Sequence, residues 1–207
     1  MGKGLYMGRS EYLARWVALH GDVVPSRIVS GWLSFAFVAA QLLKPFSANV
    51  LSLMTVVIGG VGAWLAPARY VAFIVIIALI LDGLDGTVAI LRNQVSLRGA
   101  VLDSTADRVV EVAWLVALWR CGVPLWIAVG IWIVGLVQEY LRAKIKSHGV
   151  SEVGVVTIAE RPVRGLIIAA AIGLSFLSTP LSVVLLLMEL YALRQVAEYA
   201  YTQLHED

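Results

Sequence analysis

Asp82, Asp85, Asp103 and Asp107 stand in a stretch otherwise dominated by aliphatic and small residues. Carboxylates in or near hydrocarbon are costly to keep ionised, so four of them together require a cation and a task. Residues three or four apart share one face of a helix. Asp82 and Asp85 therefore form one pair and Asp103 and Asp107 a second. Four such groups cannot all ionise without countercharge. An all-oxygen ligand set suits a hard divalent ion, Mg²⁺ or Mn²⁺. Two ions bridged by shared carboxylates suit phosphoryl chemistry, where they neutralise a pyrophosphate. Gly86 and Gly99 flank the acidic positions and permit close approach of a bulky anion. Ala89, one turn beyond Asp85, keeps the same face open. Asp-Gly pairs also mark turns and helix caps. That reading accounts for one pair, not for two helically spaced pairs in an apolar chain.

The elements that must position these residues are membrane helices. Of the 207 residues, 60% are hydrophobic and 14% charged, against roughly 25% charged in a soluble domain; the mean hydropathy is +0.86. An all-α, multi-pass membrane protein follows, with a juxtamembrane segment over 1–46 and one six-helix membrane domain over 47–207. A span needs about 20 mostly apolar residues, and six are expected at 47–66, 70–91, 99–118, 124–145, 163–178 and 180–203. Ser178-Thr179-Pro180 separates the last two. Residues 26–43 are interrupted by Ser26, Arg27, Ser30, Ser34 and Gln41, and predict an amphipathic helix in the interface plane held by Trp32, Phe35 and Phe37. Residues 10–20 predict a short surface helix with Tyr12, Leu13, Trp16 and Leu19 on one side. Six spans with both ends inside put fourteen of the sixteen lysines and arginines on the inner side and leave Arg69 and Arg120 outside. A seventh span would break that segregation. The seven residues 92–98 make the two aspartate-bearing helices antiparallel neighbours. Cys121 is the sole cysteine and forms no intrachain disulfide. No cleavable leader is expected, and Tyr6 stands where an N-myristoylation signal needs Ser or Thr. No repeat is visible.

A second concentration of chemistry is basic. Arg142, Lys144 and Lys146 lie late in the fourth span, Glu160-Arg161-Pro162-Val163-Arg164 open the fifth, and Arg194 lies in the sixth. On the inner face they make a cationic pocket suited to a phosphate monoester; the competing reading is a set of anchors for anionic lipid. Glu111 extends the Asp103–Asp107 face by four residues. Glu139 and Glu189 are expected to pair with Arg142 and Arg194 on their own helices. His148 reads as a surface residue. Trp64, Trp114, Trp119, Trp126 and Trp132 read as interface belts and packing.

The acidic run resembles the CDP-alcohol phosphotransferases, whose motif is D-x2-D-G-x2-A-R-x8-G-x3-D-x3-D. Asp82, Asp85, Gly86, Ala89, Gly99, Asp103 and Asp107 match at the required spacing. Ile90 departs, standing where the family has arginine. The resemblance implies a homodimer of six-helix subunits in the cell membrane, with the site open to the cytoplasm. It implies transfer of a substituted phosphate from a CDP-linked donor to an alcohol, with release of CMP. It implies that Asp82, Asp85 and Asp103 are principal ligands of two divalent cations with Asp107 close by, that Asp107 is the general base, and that Asp82, Gly86, Ala89 and Gly99 contact the donor. The missing arginine bears on the nucleotide end of that donor: isoleucine neither donates a hydrogen bond nor offsets phosphate charge, and Arg92 and Arg98 are the nearby cations. Glu160-Arg161-Pro162-Val163-Arg164 is similar to the phosphatidylinositol-phosphate synthase branch, and Arg142-Ala143-Lys144 has that branch's two basic types exchanged. On that likeness Arg142, Lys144, Arg161, Arg164 and Arg194 bind a phosphorylated alcohol such as inositol phosphate, and the donor is CDP-diacylglycerol drawn from membrane lipid. Phosphatidylglycerolphosphate or cardiolipin synthesis is the alternative within the family. An ion-coupled transporter would show paired, interrupted helices in two halves, which are not visible; a catalytically silent nucleotide-lipid scaffold is the third reading. No nucleic-acid partner is expected.

Overall fold

Apolar runs punctuated by Ser, Asn, Gly and Pro fold into helices throughout the described part of this computed structural model, which comprises residues 7–19, 25, 27–43, 45–148 and 157–205. The order is α1 Arg9–Leu19, α2 Arg27–Leu42, α3 Ala48–Leu65, α4 Val71–Leu91, α5 Leu97–Arg120, α6 Leu125–Ser147, α7 Arg161–Gly173, a 3₁₀ turn Ser175–Leu177, and α8 Ser178–His205. No strand occurs among the described residues. The Met1-Gly2 acylation reading falls outside them.

The chain forms two compact units. One comprises the chain up to Val56 with Leu79–Asp107; the other comprises Val57–Ala78 and the chain from Arg108 onward. The long helices α3, α4 and α5 each contribute a part to both.

Among the described residues, four helical stretches are long and apolar enough to cross a membrane: Ala48–Leu65, Val71–Leu91, Leu125–Ser147 and Ser175–Gln203. Two expected spans are helices of a different character. α5 is about 36 Å long at 1.5 Å per residue, but it carries Arg98, Asp103, Asp107, Arg108, Glu111 and Arg120. α7 has 13 residues, about 20 Å against a hydrocarbon core of about 30 Å. The break before the last helix also falls earlier than expected. Ser178, Thr179 and Pro180 are the first turn of α8, and the chain turns at Leu174–Leu177 instead. A proline in a first turn removes an N–H that has no intrahelical partner there.

The first unit is built around the N-terminal helices. Tyr12, Leu33, Ala40, Leu51, Val88, Ile90 and Leu91 form one buried cluster, with Leu13, Trp16 and Phe37 packed against it. Phe37 therefore faces the protein core, where it meets the Tyr12 ring at 5.5 Å, and does not anchor α2 outward as expected. The outward stripe of α2 is Phe35, Val38 and Leu42, all exposed, while Trp32 is exposed in part. The sequence pattern fails here because α2 is apolar on two faces. Tyr12 Oη and Thr87 Oγ1 are hydrogen-bonded at 3.0 Å; burial raises the phenol above its ordinary value, against the lowering by that bond.

Caps place the acidic helices. Asn93 ends α4 in the left-handed region at φ 53°, where asparagine is tolerated, and the Gln94 N–H reaches back to the Ala89 carbonyl at 2.7 Å. Ser96 caps α5 by accepting from the Gly99 N–H at 3.1 Å. The connection is thus shorter than the expected seven residues.

In the second unit α8 packs on α6 and α7. Trp64, Trp119 and Trp126 are exposed and Trp114 is buried.

Tyr12→Ala is expected to lower stability by about 3–5 kcal/mol through the cavity it leaves, and Tyr12→Phe by about 1 kcal/mol through the lost hydrogen bond. Thermal unfolding of the detergent-solubilised protein measures both.

Candidate functional site

The acidic residues converge where their spacing requires. Carboxylate oxygens of Asp82, Asp85 and Asp103 all lie within 4.8 Å of one another. Asp82 and Asp85 come from the last turns of α4 and Asp103 from the early turns of α5. Asp107, one turn further along α5, is partly buried and is not one of these three. Ser52 of α3 donates to Asp85 Oδ2 at 2.6 Å, which fixes that carboxylate. The donor set is oxygen only, closely spaced and like-charged, so it fits a hard divalent cation. A bound ion there would supply countercharge and polarise a phosphate oxygen.

The cluster opens on a cavity of about 490 Å³, into which Asp85 and Asp103 project beside Gly86, Ala89 and Gly99. A Cβ at Gly86 would meet nothing within 4 Å, so this glycine borders open space. Gly99 is tighter: a Cβ there would stand 3.1 Å from Ser96 Oγ and 3.4 Å from Asn49 Oδ1. At Gly83 it would stand 2.6 Å from the Trp32 ring, so the indole lies flush against the α4 turn that carries Asp82 and Asp85.

Sequence reasoning did not single out Asn49, Ser52 or Thr87 for this site, nor the aromatic wall of Trp16 and Trp32. Asn49 and Ser52 had a usable signal: two polar residues three apart at the start of an apolar helix. Ile90 lines the cavity and is also buried in the Tyr12 cluster. The cations expected nearby do not take its place. Arg92 donates to the Phe46 carbonyl at 2.8 Å, and Arg98 is exposed. Among the described residues no lysine or arginine lines the cavity.

The second unit gathers charge of both signs. Arg164 is 4% exposed, with Glu111 at 3.2 Å, Glu189 at 3.4 Å and Glu139 at 3.6 Å. Arg108 pairs with Glu111 at 2.8 Å. Arg161 Nε lies 3.9 Å from Glu111, and its guanidinium sits 5.7 Å from the centre of the Trp114 ring. Arg142 donates to Glu160 at 2.8 and 3.2 Å. Burial pushes the Glu160 carboxyl up, but Arg142 and the Thr157 N–H and hydroxyl outweigh it and hold the group below its ordinary value. Glu139 pairs with Arg142 as expected, at 3.5 Å. Glu189 does not pair with Arg194. It is fully buried, takes Arg164 and accepts from the Gln138 amide, because five residues along one helix separate two side chains more than a neighbouring helix does. Arg194 is exposed and pairs with Glu198 at 2.6 Å. Lys144 and His148 are exposed. Arg142, Arg161 and Arg164 thus form one ion-paired cluster, while Lys144 and Arg194 point to the surface.

Comparison with known proteins agrees with this geometry. The family model for CDP-alcohol phosphatidyltransferase matches residues 46–197. An archaetidylinositol phosphate synthase of Aeropyrum pernix is 35% identical over 114 residues, 55% of this chain and 58% of that protein. A bifunctional IPC transferase and DIPP synthase of Rubrobacter xylanophilus is 34% identical over 118 residues, 56% of this chain and 26% of that protein. The matches thus span less than two thirds of either relative. Two crystal structures of the Mycobacterium tuberculosis phosphatidylinositol phosphate synthase PgsA1 share the fold. The form with CDP-DAG bound gives a TM-score of 0.63 at 22% identity over 81% of this chain and 92% of that one. The form with manganese and citrate gives 0.64 at 23% over 81% and 88%.

Ser52→Ala is expected to weaken Mn²⁺ binding about tenfold or more by freeing the Asp85 carboxylate, measured by titration calorimetry. Gly83→Ala is expected to displace the Trp32 ring and weaken binding as well, and the pair Gly83→Ala with Trp32→Leu to recover it.

Proposed function

The chain belongs to the CDP-alcohol phosphatidyltransferase family, and from that premise we propose that it transfers the phosphatidyl group of a CDP-diacylglycerol to a phosphorylated alcohol, releasing CMP. The observation that carries this reading is the cluster of Asp82, Asp85 and Asp103 at a cavity of about 490 Å³. A CDP-linked lipid presents a pyrophosphate, and the described walls of this cavity offer it no lysine or arginine. The charge must then be met through the carboxylates, by ions they hold.

The residues divide the work as follows. Asp82, Asp85 and Asp103 would hold two ions, Mg²⁺ or Mn²⁺, with Asp107 close by, and Ser52 keeps Asp85 oriented. When bound, those ions supply countercharge to the pyrophosphate and to the departing CMP. Asp82, Gly86, Ala89 and Gly99 border the donor and leave room for it. Asp107 accepts the proton of the acceptor hydroxyl as that oxygen attacks the β-phosphorus; the bond from the β-phosphorus to the bridging oxygen breaks, and CMP leaves. Arg142, Arg161 and Arg164, with Lys144 and Arg194 at the surface, would recruit the phosphate of the acceptor. Inositol phosphate is favoured, since the Aeropyrum relative and the Mycobacterium neighbours are inositol phosphate-lipid synthases. The M. tuberculosis enzyme with CDP-DAG bound supports the lipid donor, and its manganese form supports the metal.

The membrane arrangement completes the reading. α5 and α7 would join the four apolar stretches as fifth and sixth spans, their charges facing protein. α1 and α2 would lie at the interface as the 1–46 segment, with 47–207 as the membrane domain. The positive-inside bias turns the acidic cluster to the cytoplasm, and the family suggests a homodimer.

Purified protein given CDP-diacylglycerol, Mn²⁺ or Mg²⁺, and inositol 1-phosphate or glycerol 3-phosphate is expected to release CMP with inositol 1-phosphate. No CMP from folded protein with any acceptor would sink the proposal. Asp107→Asn is expected to cut turnover about 10²–10⁴-fold and keep most metal affinity, whereas Asp85→Asn loses both. CDP binding is expected to vanish with chelator and return with Mn²⁺.

A further inference from the structure

Two arginines of the second unit share one carboxylate oxygen. Glu139 Oε1 lies 3.5 Å from Arg142 Nη1 and 3.6 Å from Arg164 Nη2. Both separations exceed hydrogen-bond length. Two other acids of the cluster grip more closely: Glu160 holds Arg142 at 2.8 Å, and Glu111 holds Arg108 at 2.8 Å and Arg164 at 3.2 Å; Glu189 lies 3.4 Å from Arg164 but is fully buried. Exposure separates Glu139 from Glu189 and Glu111, whereas the tightly held Glu160 is 32% exposed. The Glu189 side chain is 0% exposed and that of Glu111 9%, against 37% for Glu139. Glu139 is therefore a loosely held, partly exposed carboxylate midway between two guanidinium groups. A phosphate oxygen would be held best at that same point, since a phosphate can accept from both forks at once.

We propose that Glu139 is a displaceable stand-in for the acceptor's phosphate. It occupies the anion position between Arg142 and Arg164 before the acceptor arrives and swings aside when a phosphate monoester takes its place. Glu160 and Glu189 stay and keep the two arginines aimed. Glu139 thereby sets a threshold: a dianionic phosphate displaces it, and a weaker single-charge anion does not. This rests on the reading of Arg142 and Arg164 as acceptor residues.

Glu139→Gln keeps the shape and removes the charge. In the CMP-release assay its KM for inositol 1-phosphate is expected to fall about 2- to 5-fold, the scale of a partly exposed ion pair. Inhibition by inorganic phosphate is expected at correspondingly lower concentration, with the KM for CDP-diacylglycerol unmoved. Glu139→Ala is expected to shift both in the same direction. An acceptor KM that rises or stays constant in both variants overturns the proposal. Loss of folding in both also overturns it, because Glu139 would then belong to the framework. Absence of acceptor-dependent CMP release from the unaltered protein, with every phosphorylated alcohol offered, would instead overturn the functional reading on which the inference stands.

Discussion

Negative charge held in a low-dielectric surrounding must be matched, and the two units of this chain match it in opposite ways. In the first, three aspartates crowd within 4.8 Å, and two of them, Asp85 and Asp103, line a cavity whose described lining contains no lysine or arginine. A bound cation would be matched there by three carboxylates at once. In the second, Glu111, Glu139, Glu160 and Glu189 are matched by Arg108, Arg142, Arg161 and Arg164. Such a network adds little net stability over an apolar core, because desolvation consumes most of the Coulomb gain. It does fix where each guanidinium points. One unit keeps its charge available for ions, and the other keeps its charge oriented.

The aspartate site was legible because helical spacing is a local property: residues three and four apart share a face whatever surrounds them. The cavity borders at Gly86 and Gly99 followed from the same logic. What escaped notice came from other helices. Ser52 orients Asp85 across a sequence separation of 33, and Trp32 covers Gly83 from α2. Partners across helices cannot be assigned from one-dimensional spacing, and Glu189, which takes Arg164 and not Arg194, is the plain case. Periodicity also cannot say which of two apolar faces of α2 turns inward, so Phe37 was assigned to the wrong one. The all-helical, membrane-spanning class needed only composition, whereas α5 and α7 stand apart from simple spans because their charges meet partners that hydropathy does not see.

Ile90 is a packing residue as well as a cavity residue. It belongs to the cluster that binds α1 and α2 to the end of α4. Where the family motif has a guanidinium, this chain therefore has a hydrophobic contact with its own N-terminal helices, and Trp16 and Trp32 from those helices wall the same cavity. A fixed charge has been replaced by a fold contact. The N-terminal segment, which composition alone would leave as a peripheral anchor, becomes part of the cavity's construction.

Gly135 and Arg164 carry a consequence for how the chain is assembled. A Cβ at Gly135 would stand 2.5 Å from Arg164 Nη1, so the guanidinium lies directly against the α6 backbone. Its carboxylate neighbours are on α5, α6 and α8. The last of these is made after α7 itself. During synthesis α7 emerges short, with two arginines in its first turn, and full compensation arrives only once the ribosome has passed Glu189. α7 is thus poorly suited to pack alone and is completed only when α8 supplies Glu189. The order of translation and the order of burial are coupled through a single side chain.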